Sequence, residues 1–333
     1  MYKIVLAQVF LLFVCVNAFA QNVVDFELSQ PVTKVDSSLY NTITFIDSRD
    51  DTTNVGVVQT GFFNRMGLVK AKTPLATQVS SVFNSLITAH AKQGETLLQL
   101  RQFSFAELIT GLSERGYCYM QARLYAKNGE RYKKISSIDT IITLSSSIDV
   151  SNSILKAGKE GISNFIRNGI ILKPTDSVSY SYHDILKIDS IEKRKIKLYN
   201  ADTYKDGLYA TFQSFMNQVP DKPISSEGHV LFPGFVKTTD EDGKLKDVKS
   251  KDFYAAVYQG QPYICSKTGY YPLEKVKDDF YFIGDAKSSA NTGTMVAASA
   301  LFGVVGGIIA SAPTTSFFYM KIDHKNGKFI RLK

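Results

Sequence analysis

The sequence predicts an α+β protein that has an N-terminal mixed sheet with two helices, followed by a mostly-β region. Three observations lead to this class. Segments of the first half alternate apolar and polar residues with the period of two that a half-buried strand requires. Two other segments there carry apolar residues at helical spacing. The second half consists of short Tyr- and Phe-rich segments separated by glycine-containing turns, which indicates short antiparallel strands.

Residues 1–20 have the composition of a secretory signal peptide. Lys3 precedes an apolar run from Ile4 to Val16, and the sequence Ala-Phe-Ala at 18–20 supplies the small residues that signal peptidase recognises. We therefore expect an exported protein whose mature chain begins at Gln21. Its expected location is the periplasm or the outer membrane. A retained anchor helix is the alternative, although the apolar run is short for a membrane span.

Residues 21–172 are predicted to form the α+β domain, which begins with a strand in the segment SLYNTITFIDSRDD. An amphipathic helix follows. Thr73 is a suitable N-cap, Pro74 suits the first helical position, and Gly94 is expected to end the helix. The predicted buried face of this helix comprises Leu75, Val79, Val82, Phe83, Leu86 and Ile87.

Two strands, TLLQLRQFSF and YCYMQARLYA, continue the domain, and the Asn-Gly pair at 128–129 predicts a hairpin turn before the strand over Ile135–Leu144. A second helix is predicted over Asn152–Asn168, although Gly158 and Gly161 each disfavour it by about 1 kcal/mol relative to alanine. The order β-α-β-β-β-α places both helices on one face of a small mixed sheet. The buried side of the second helix comprises Ile154, Leu155, Ile162, Phe165 and Ile166.

The strand YCYMQARLYA has two distinct faces. Cys118 lies on the apolar face, where we expect a free thiol that behaves as a small hydrophobe, and we expect Cys265 to be free as well. The opposite face carries Tyr117, Tyr119 and Tyr125, which as an exposed row would offer a glycan or a peptide both apolar area and polar tips. The alternative, which the sequence favours, is a sheet face covered by helices or by the second domain.

The opening strand and the helix after Pro74 also carry a family resemblance. The strand ends in Asp47-Ser-Arg49, and the connection GVVQTGFFNR leads toward the helix. Over roughly residues 36–170, this pattern resembles the periplasmic auxiliary lipoproteins of ABC-type transport systems and related small envelope lipoproteins. The resemblance implies an envelope location. The chain departs from that group because it lacks the lipobox cysteine by which a lipid would be attached.

Residues 173–333 are predicted to form the mostly-β domain, after the linker-like segment LKPTDS. The stretches DGLYATFQSFMNQVPD, FYAAVYQGQPYI and MKIDHKNGKFIRL are similar to those of uncharacterised exported proteins of Bacteroidota. The similarity covers about residues 200–333. It implies an architecture and an organism group but no known activity.

An uncharged apolar segment, Met295–Ala312, interrupts this domain within the predicted insert 293–313. Small residues recur in it at every fourth position, which is the spacing of a ridge that lets helices approach closely. We expect a helical insert packed within the protein, in an oligomer or shallowly in a membrane. A single membrane span and an irregular loop are the alternatives. The predicted helix-packing ridge comprises Ser299, Gly303, Gly307 and Ser311.

Chemistry-bearing motifs are absent from the sequence. It contains no nucleophile elbow, phosphate-binding loop, dinucleotide fingerprint or metal-ligand spacing, so we predict no catalytic residue, no cofactor and no metal site. His183 beside Asp184 is a candidate catalytic imidazole, but neighbours on a strand point to opposite faces. Asp202 and Asp206 faintly resemble a calcium loop and are interpreted as a turn.

The net charge of +8 arises from 39 Lys and Arg against 31 Asp and Glu. The densest basic run, EKRKIKLY over Glu192–Tyr199, is interpreted as the solvated face of a strand rather than a patch for anionic lipid or nucleic acid. Nucleic acid is not an expected partner of an exported protein.

These observations favour a non-enzymatic exported protein of the cell envelope with an adaptor or binding role. Self-association, an envelope partner or membrane contact through residues 293–313 is expected. Two alternatives are a hydrolase of cell-wall or glycan material with a dispersed site, and a structural surface protein that uses its tyrosine-rich sheet.

Overall fold

The structure is a computed structural model that describes residues 22–31, 33–61, 65–110, 113–147, 149–225, 236–240, 242–266, 269–285 and 317–331. The predicted signal peptide, the insert 293–313 and its ridge lie outside these residues. No helix in the described part of the chain is both long and apolar enough to cross a membrane.

The α+β class predicted from the sequence is confirmed. The elements of the first half are β1 (Asn22–Phe26), β2 (Thr42–Asp47), β3 (Val57–Thr60), β4 (Arg65–Ala71), α1 (Leu75–Leu86), β5 (Glu95–Thr110), β6 (Ser113–Asn128), β7 (Arg131–Ser146) and α2 (Ser151–Gly169).

In addition to its strands, the described part of the second half contains four short α-helices that the sequence analysis did not predict. Its elements are β8 (Ser179–Tyr180), α3 (Tyr182–Leu186), α4 (Ile188–Lys193), α5 (Lys197–Asn200), β9 (Gly207–Tyr209), α6 (Phe212–Met216), β10 (Lys237–Thr239), β11 (Leu245–Asp247), β12 (Ala255–Tyr258), β13 (Gln261–Ser266), β14 (Gly269–Pro272), β15 (Glu274–Val276), β16 (Asp279–Asp285), β17 (Phe317–Ile322) and β18 (Phe329–Arg331).

A five-stranded mixed sheet of order β2-β5-β6-β7-β8 forms the frame of the first half. β2 is parallel to β5 and the other neighbours are antiparallel, so the predicted mixed sheet is confirmed. β8 belongs to the sequence after residue 172, yet it pairs with β7 through Tyr132 and Tyr180. A second sheet of order β1-β4-β3, which the sequence analysis missed, lies beside it.

Helices α1 and α2 cover one face of the five-stranded sheet, as predicted. Their apolar sides join a single cluster of buried side chains with the β6 residues Cys118, Met120, Ala122 and Leu124. The sheets β14-β13-β12-β9 and β15-β16-β17-β18 of the second half share a separate core, which is rich in aromatic side chains. The members of that core include Tyr209, Ile264, Tyr271, Phe280, Phe282, Met320 and Phe329.

The first helix is shorter than predicted. It begins after Pro74, which occupies the N-cap without a side-chain capping bond, so Thr73 is not the cap. It ends at Leu86 rather than at Gly94, because the Leu86 carbonyl accepts the Val35 N–H at 2.6 Å and the next residue is extended. A tertiary contact therefore ends the helix before its amphipathic pattern does.

Both remaining cysteines are free and buried, as expected: Cys118 lies under α2 and Cys265 lies on β13. Burial raises the pKa of each thiol. A thiol that stays protonated is a poor nucleophile, so neither group is placed for thiolate chemistry.

Glu107 on β5 is a carboxyl group that the fold buries, with 8% of its surface exposed. Its Oε2 accepts the Gln59 N–H at 2.8 Å, and its Oε1 has no hydrogen-bond partner among the described residues. Burial raises its pKa to about 7, opposed in part by the bond from Gln59 and increased by repulsion from Asp149 and Glu114. Glu107 is therefore mostly neutral below about pH 7 and mostly ionised above it in the folded chain.

Replacing Glu107 by glutamine is expected to raise the free energy of unfolding by about 2 kcal/mol at about pH 8 and to change it little at about pH 4. The folded pKa is above the unfolded one, so the stability that protonated Glu107 confers is complete below 4.5 and lost as the pH rises through about 7. Chemical denaturation of the natural chain and the variant at both pH values measures the difference in the free energy of unfolding. The matched control is Glu130→Gln at the exposed turn after β6, and an equal gain at both pH values would contradict the prediction.

Candidate functional site

A buried polar cluster joins the five-stranded sheet to the second half, on the face of the sheet opposite α1 and α2. It originates in a β-bulge. β5 pairs with β6 in register up to Leu100 opposite Ala122, and the pairing resumes at Gln102 opposite Gln121. Arg101 is the extra residue between them. Bulges redirect side chains in this way, and the Arg101 side chain lies 3% exposed against α4.

The interface cluster, which we define as Arg101, Arg123, Asp189, Glu192 and His324, is a network of ion pairs. The Glu192 carboxylate accepts from Arg101 Nη2 at 2.7 Å and from Nη1 at 3.2 Å. It also pairs with Arg123 and lies 3.0 Å from His324 Nε2. Asp189 pairs with Arg101. The cluster therefore links β5 and β6 to helix α4 and to the turn after β17.

Burial raises the pKa of Glu192, but the hydrogen bonds from His324 and Arg101 and the arginine charges outweigh it, so the net pKa lies well below the usual range. The same competition between burial and the charge of Arg101 lowers the pKa of Asp189. Both carboxylates are therefore ionised at neutral pH and compensate the buried guanidinium of Arg101.

Asp189, Glu192 and His324 place one ligand atom each within 4.8 Å of one another, which is a separation that a metal ion could bridge. Nitrogen and carboxylate oxygen are donors that zinc accepts. However, both Glu192 oxygens already contact guanidinium groups. A divalent cation would have to displace two arginines that are held by charge-assisted bonds. The geometry therefore favours a network of ion pairs that stabilises the contact between the two halves over a metal centre.

A second polar network extends the contact. Asp323 accepts from the Tyr119 hydroxyl at 3.2 Å and from the Gln121 amide at 3.0 Å. Asn326 donates to Tyr119 at 2.9 Å and to Asp139 at 2.8 Å. The turn between β17 and β18 is thereby fixed to the sheet by side chains of β6 and β7.

The tyrosine face of β6 is not an exposed binding row, in agreement with the expectation that the sequence favoured. Tyr117, Tyr119 and Tyr125 are all 3% exposed or less. The structural alternative given above, a sheet face covered by other parts of the chain, is the correct one.

Two motifs from the sequence, Asp47-Ser-Arg49 and the aspartates at 202 and 206, contain residues with structural roles. Asp47 binds Arg49 through two bonds of 2.8 and 2.7 Å, and Arg49 also donates to the Asn54 carbonyl, which closes the turn after β2. Asp206 accepts the N–H groups of Gln259 and Gly260, so its interpretation as part of a turn agrees with these contacts.

His183 and Asp184 lie on helix α3 rather than on a strand, so that prediction was wrong. Asp184 accepts the Ser181 N–H at 2.8 Å and caps the helix, and His183 is exposed. The pair does not form a catalytic dyad. His229 lies outside the described residues.

A small cavity and a larger groove adjoin the sheet. The interface cavity has a volume of about 100 Å³ and is lined by Arg101, Gln121, Arg123, Ser137, Asp139 and Lys325, among others. The helix groove, between α2 and β7, has a volume of about 420 Å³. Its lining includes Met120, Ile138, Ile142, Phe165, Asn168 and Leu172.

Comparison with known proteins adds little. No family model matches the chain, and no curated protein matches it. Among solved structures, the chain is similar to a crystal structure of a Xanthomonas campestris protein of family DUF330, with 11% identity and a TM-score of 0.29. That likeness covers 44% of this chain and 91% of the other chain, and it is too distant to carry an argument about fold or function.

Proposed function

We propose that this is a non-enzymatic exported protein of the cell envelope that binds a neutral amphiphile in the helix groove. The export and envelope parts of the proposal rest on the sequence of residues 1–20. The binding role rests on the groove, whose volume of about 420 Å³ lies within the range of about 300–1,000 Å³ that small-molecule sites occupy.

The lining of the groove indicates the chemical class of its ligand. The floor is apolar and includes Met120, Ile142 and Phe165, whereas Asn164 and Asn168 are exposed at its edge. No charged side chain occurs among the described residues that line the groove. An apolar chain with an uncharged, hydrogen-bonding head group matches this surface, because a carboxylate or ammonium head would lack a counter-ion there.

Gly161 allows the proposal to be tested without removing a wall of the groove. It lies on α2 in the lining, and the atoms nearest to a Cβ there would be the ends of the Met120 and Ile142 side chains, at 3.2 and 3.3 Å. A leucine at this position would therefore extend into the groove volume while the helix remains intact.

Titration calorimetry with monolaurin below its micelle concentration is the test. We expect saturable binding to the natural chain, at least tenfold weaker binding to Gly161→Leu, and unchanged binding to Ser153→Leu, which adds the same side chain at an exposed position of α2. Lauric acid, which bears a charged head, is expected to bind more weakly than monolaurin. Absent monolaurin binding, or equal binding by both variants, would refute the proposal.

The hydrolase alternative loses its candidate base, since His183 is exposed and Asp184 serves as a helix cap. The adaptor role through residues 293–313, and through Ser299, Gly303, Gly307 and Ser311 in particular, concerns a segment outside the described residues and stays a prediction from the sequence.

A further inference from the structure

The interface cavity contains buried polar groups that the surrounding network leaves without partners. Arg101 is 4% exposed, and its Nε–H has no acceptor among the described residues. Gln121 is 3% exposed, and its Oε1 has no donor in the same part of the chain. Orphaned buried groups of this kind are rare in folded proteins and indicate a missing water, ion or ligand.

Positive charge predominates in the lining of this cavity. Arg101, Arg123 and Lys325 face it, against the single carboxylate of Asp139. The Asp139 oxygens are already engaged by Gln121, Asn326 and Lys328.

The cationic side chains differ in how firmly they are held. Arg101 and Arg123 are fixed by Glu192, whereas the nearest carboxylate oxygen to Lys325 Nζ is that of Asp323, at 3.6 Å. Burial lowers the pKa of Lys325 by more than the charge of Asp323 raises it; Arg101 lowers it further, while Asp189 and Glu192 oppose the shift. Arg101 and Lys325 both line the cavity, so an anion bound there could accept charge-assisted hydrogen bonds from both.

We propose that the interface cavity binds free inorganic phosphate. The volume of about 100 Å³ suits a small oxyanion rather than a phosphorylated macromolecule. The lining offers donors from Arg101 and Lys325 together with the unpartnered acceptor Gln121 Oε1. Hydrogen phosphate carries both acceptor oxygens and an O–H donor, so it can satisfy both kinds of group. Sulfate lacks the donor at neutral pH and would leave Gln121 Oε1 unpaired.

The test is calorimetric titration of the full chain with inorganic phosphate, sulfate and chloride at equal ionic strength. We expect saturable phosphate binding and at least tenfold weaker sulfate binding. Lys325→Gln is expected to weaken phosphate binding tenfold or more, because it removes one charge-assisted bond. Lys321→Gln is the matched control: it removes a lysine from the preceding strand that pairs with Asp50 and Asp279 and does not line the cavity.

Three outcomes would overturn the proposal. Absence of phosphate binding would mean that water alone satisfies Arg101 and Gln121. Equal affinity for phosphate and sulfate would show that Gln121 Oε1 does not accept a hydrogen bond from the anion. Equal weakening by Lys325→Gln and Lys321→Gln would indicate a general electrostatic effect. None of these outcomes depends on monolaurin binding, so this site and the proposed function are tested separately.

Discussion

Glu192→Ala is expected to lower the free energy of unfolding by about 3–5 kcal/mol, because it leaves buried guanidinium charge with too few partners. Among the described residues, Arg101 would keep Asp189, whose side chain is 49% exposed, as its carboxylate partner, and Arg123 would lose the carboxylate that it shares with Arg101. Bulk solvent screens the remaining charge poorly, since the Arg101 side chain is 3% exposed. Chemical denaturation of the purified chain measures the loss.

A matched control is available on helix α2. Glu160 pairs with Lys156 one turn away, and both side chains are more than half exposed. Glu160→Ala is therefore expected to change the free energy of unfolding by at most about 0.5 kcal/mol. A loss below about 1 kcal/mol for Glu192→Ala would show that the interface cluster does not brace the two halves of the chain.

A double-mutant cycle identifies the cause of the loss. If Arg101 and Glu192 stabilise the fold through each other, the Arg101→Ala and Glu192→Ala effects will be non-additive by about 0.5–3 kcal/mol. Because Glu192 also contacts His324, amide hydrogen exchange at residues 323–326 should accelerate in Glu192→Ala but not in Glu160→Ala. Additive losses with unchanged exchange would instead mean that each residue acts alone.

The sequence predicted those helices and strands that are determined by the residue pattern within a single segment. The period of two over β6 correctly placed Cys118, Met120 and Leu124 together on one apolar face, which packs under the helices, and the helical spacing over α2 correctly identified Ile154, Ile162 and other residues as core. These signals arise because burying one face requires a repeated pattern along one segment. Periodicity therefore identifies the apolar face of an element, but it does not show whether the opposite, more polar face is also covered, as it is in β6.

The interface cluster was missed because its cause is not local. Glu192 opens the run EKRKIKLY, which was interpreted as an exposed strand, yet Glu192 and Lys193 belong to α4 and the Lys193 side chain is 10% exposed. Arg101 lies between Leu100 and Gln102 in a strand whose other residues from Thr96 to Phe105 carry no charge, and this single charge in a buried strand is the one local feature that could have indicated a buried partner. The partner itself is 91 residues away, and no pattern in the sequence connects the two.

The second large effect is expected at Gly158, where the sequence alone predicts the wrong sign. Helix propensity predicts that alanine there would stabilise α2 by about 1 kcal/mol. A Cβ at Gly158, however, would lie 2.4 Å from Phe105 Cζ and 2.9 Å from Cys118 Sγ. Phe105 cannot yield easily, since its ring is packed edge-on against Phe103, with centroids 5.2 Å apart, and against Phe26.

We therefore expect Gly158→Ala to lower the free energy of unfolding by about 1–2 kcal/mol and Gly158→Val by about 3 kcal/mol or more, because overpacking outweighs the gain in propensity. Gly161→Ala is the control on the same helix. Its Cβ would meet the flexible ends of Met120 and Ile142 at 3.2 Å or more, so this variant is expected to match the natural chain or exceed its stability by up to about 1 kcal/mol.

Opposite signs for the two alanine variants in chemical denaturation would show that Gly158 is required for the close approach of α2 to β5 and β6, whereas Gly161 is not. Equal signs would contradict this. If both variants were stabilised, the helix would be able to shift away from Phe105 at little cost. If both were destabilised, the lining of the helix groove would be as tightly packed as the core beneath α2, and a neutral amphiphile could not enter it.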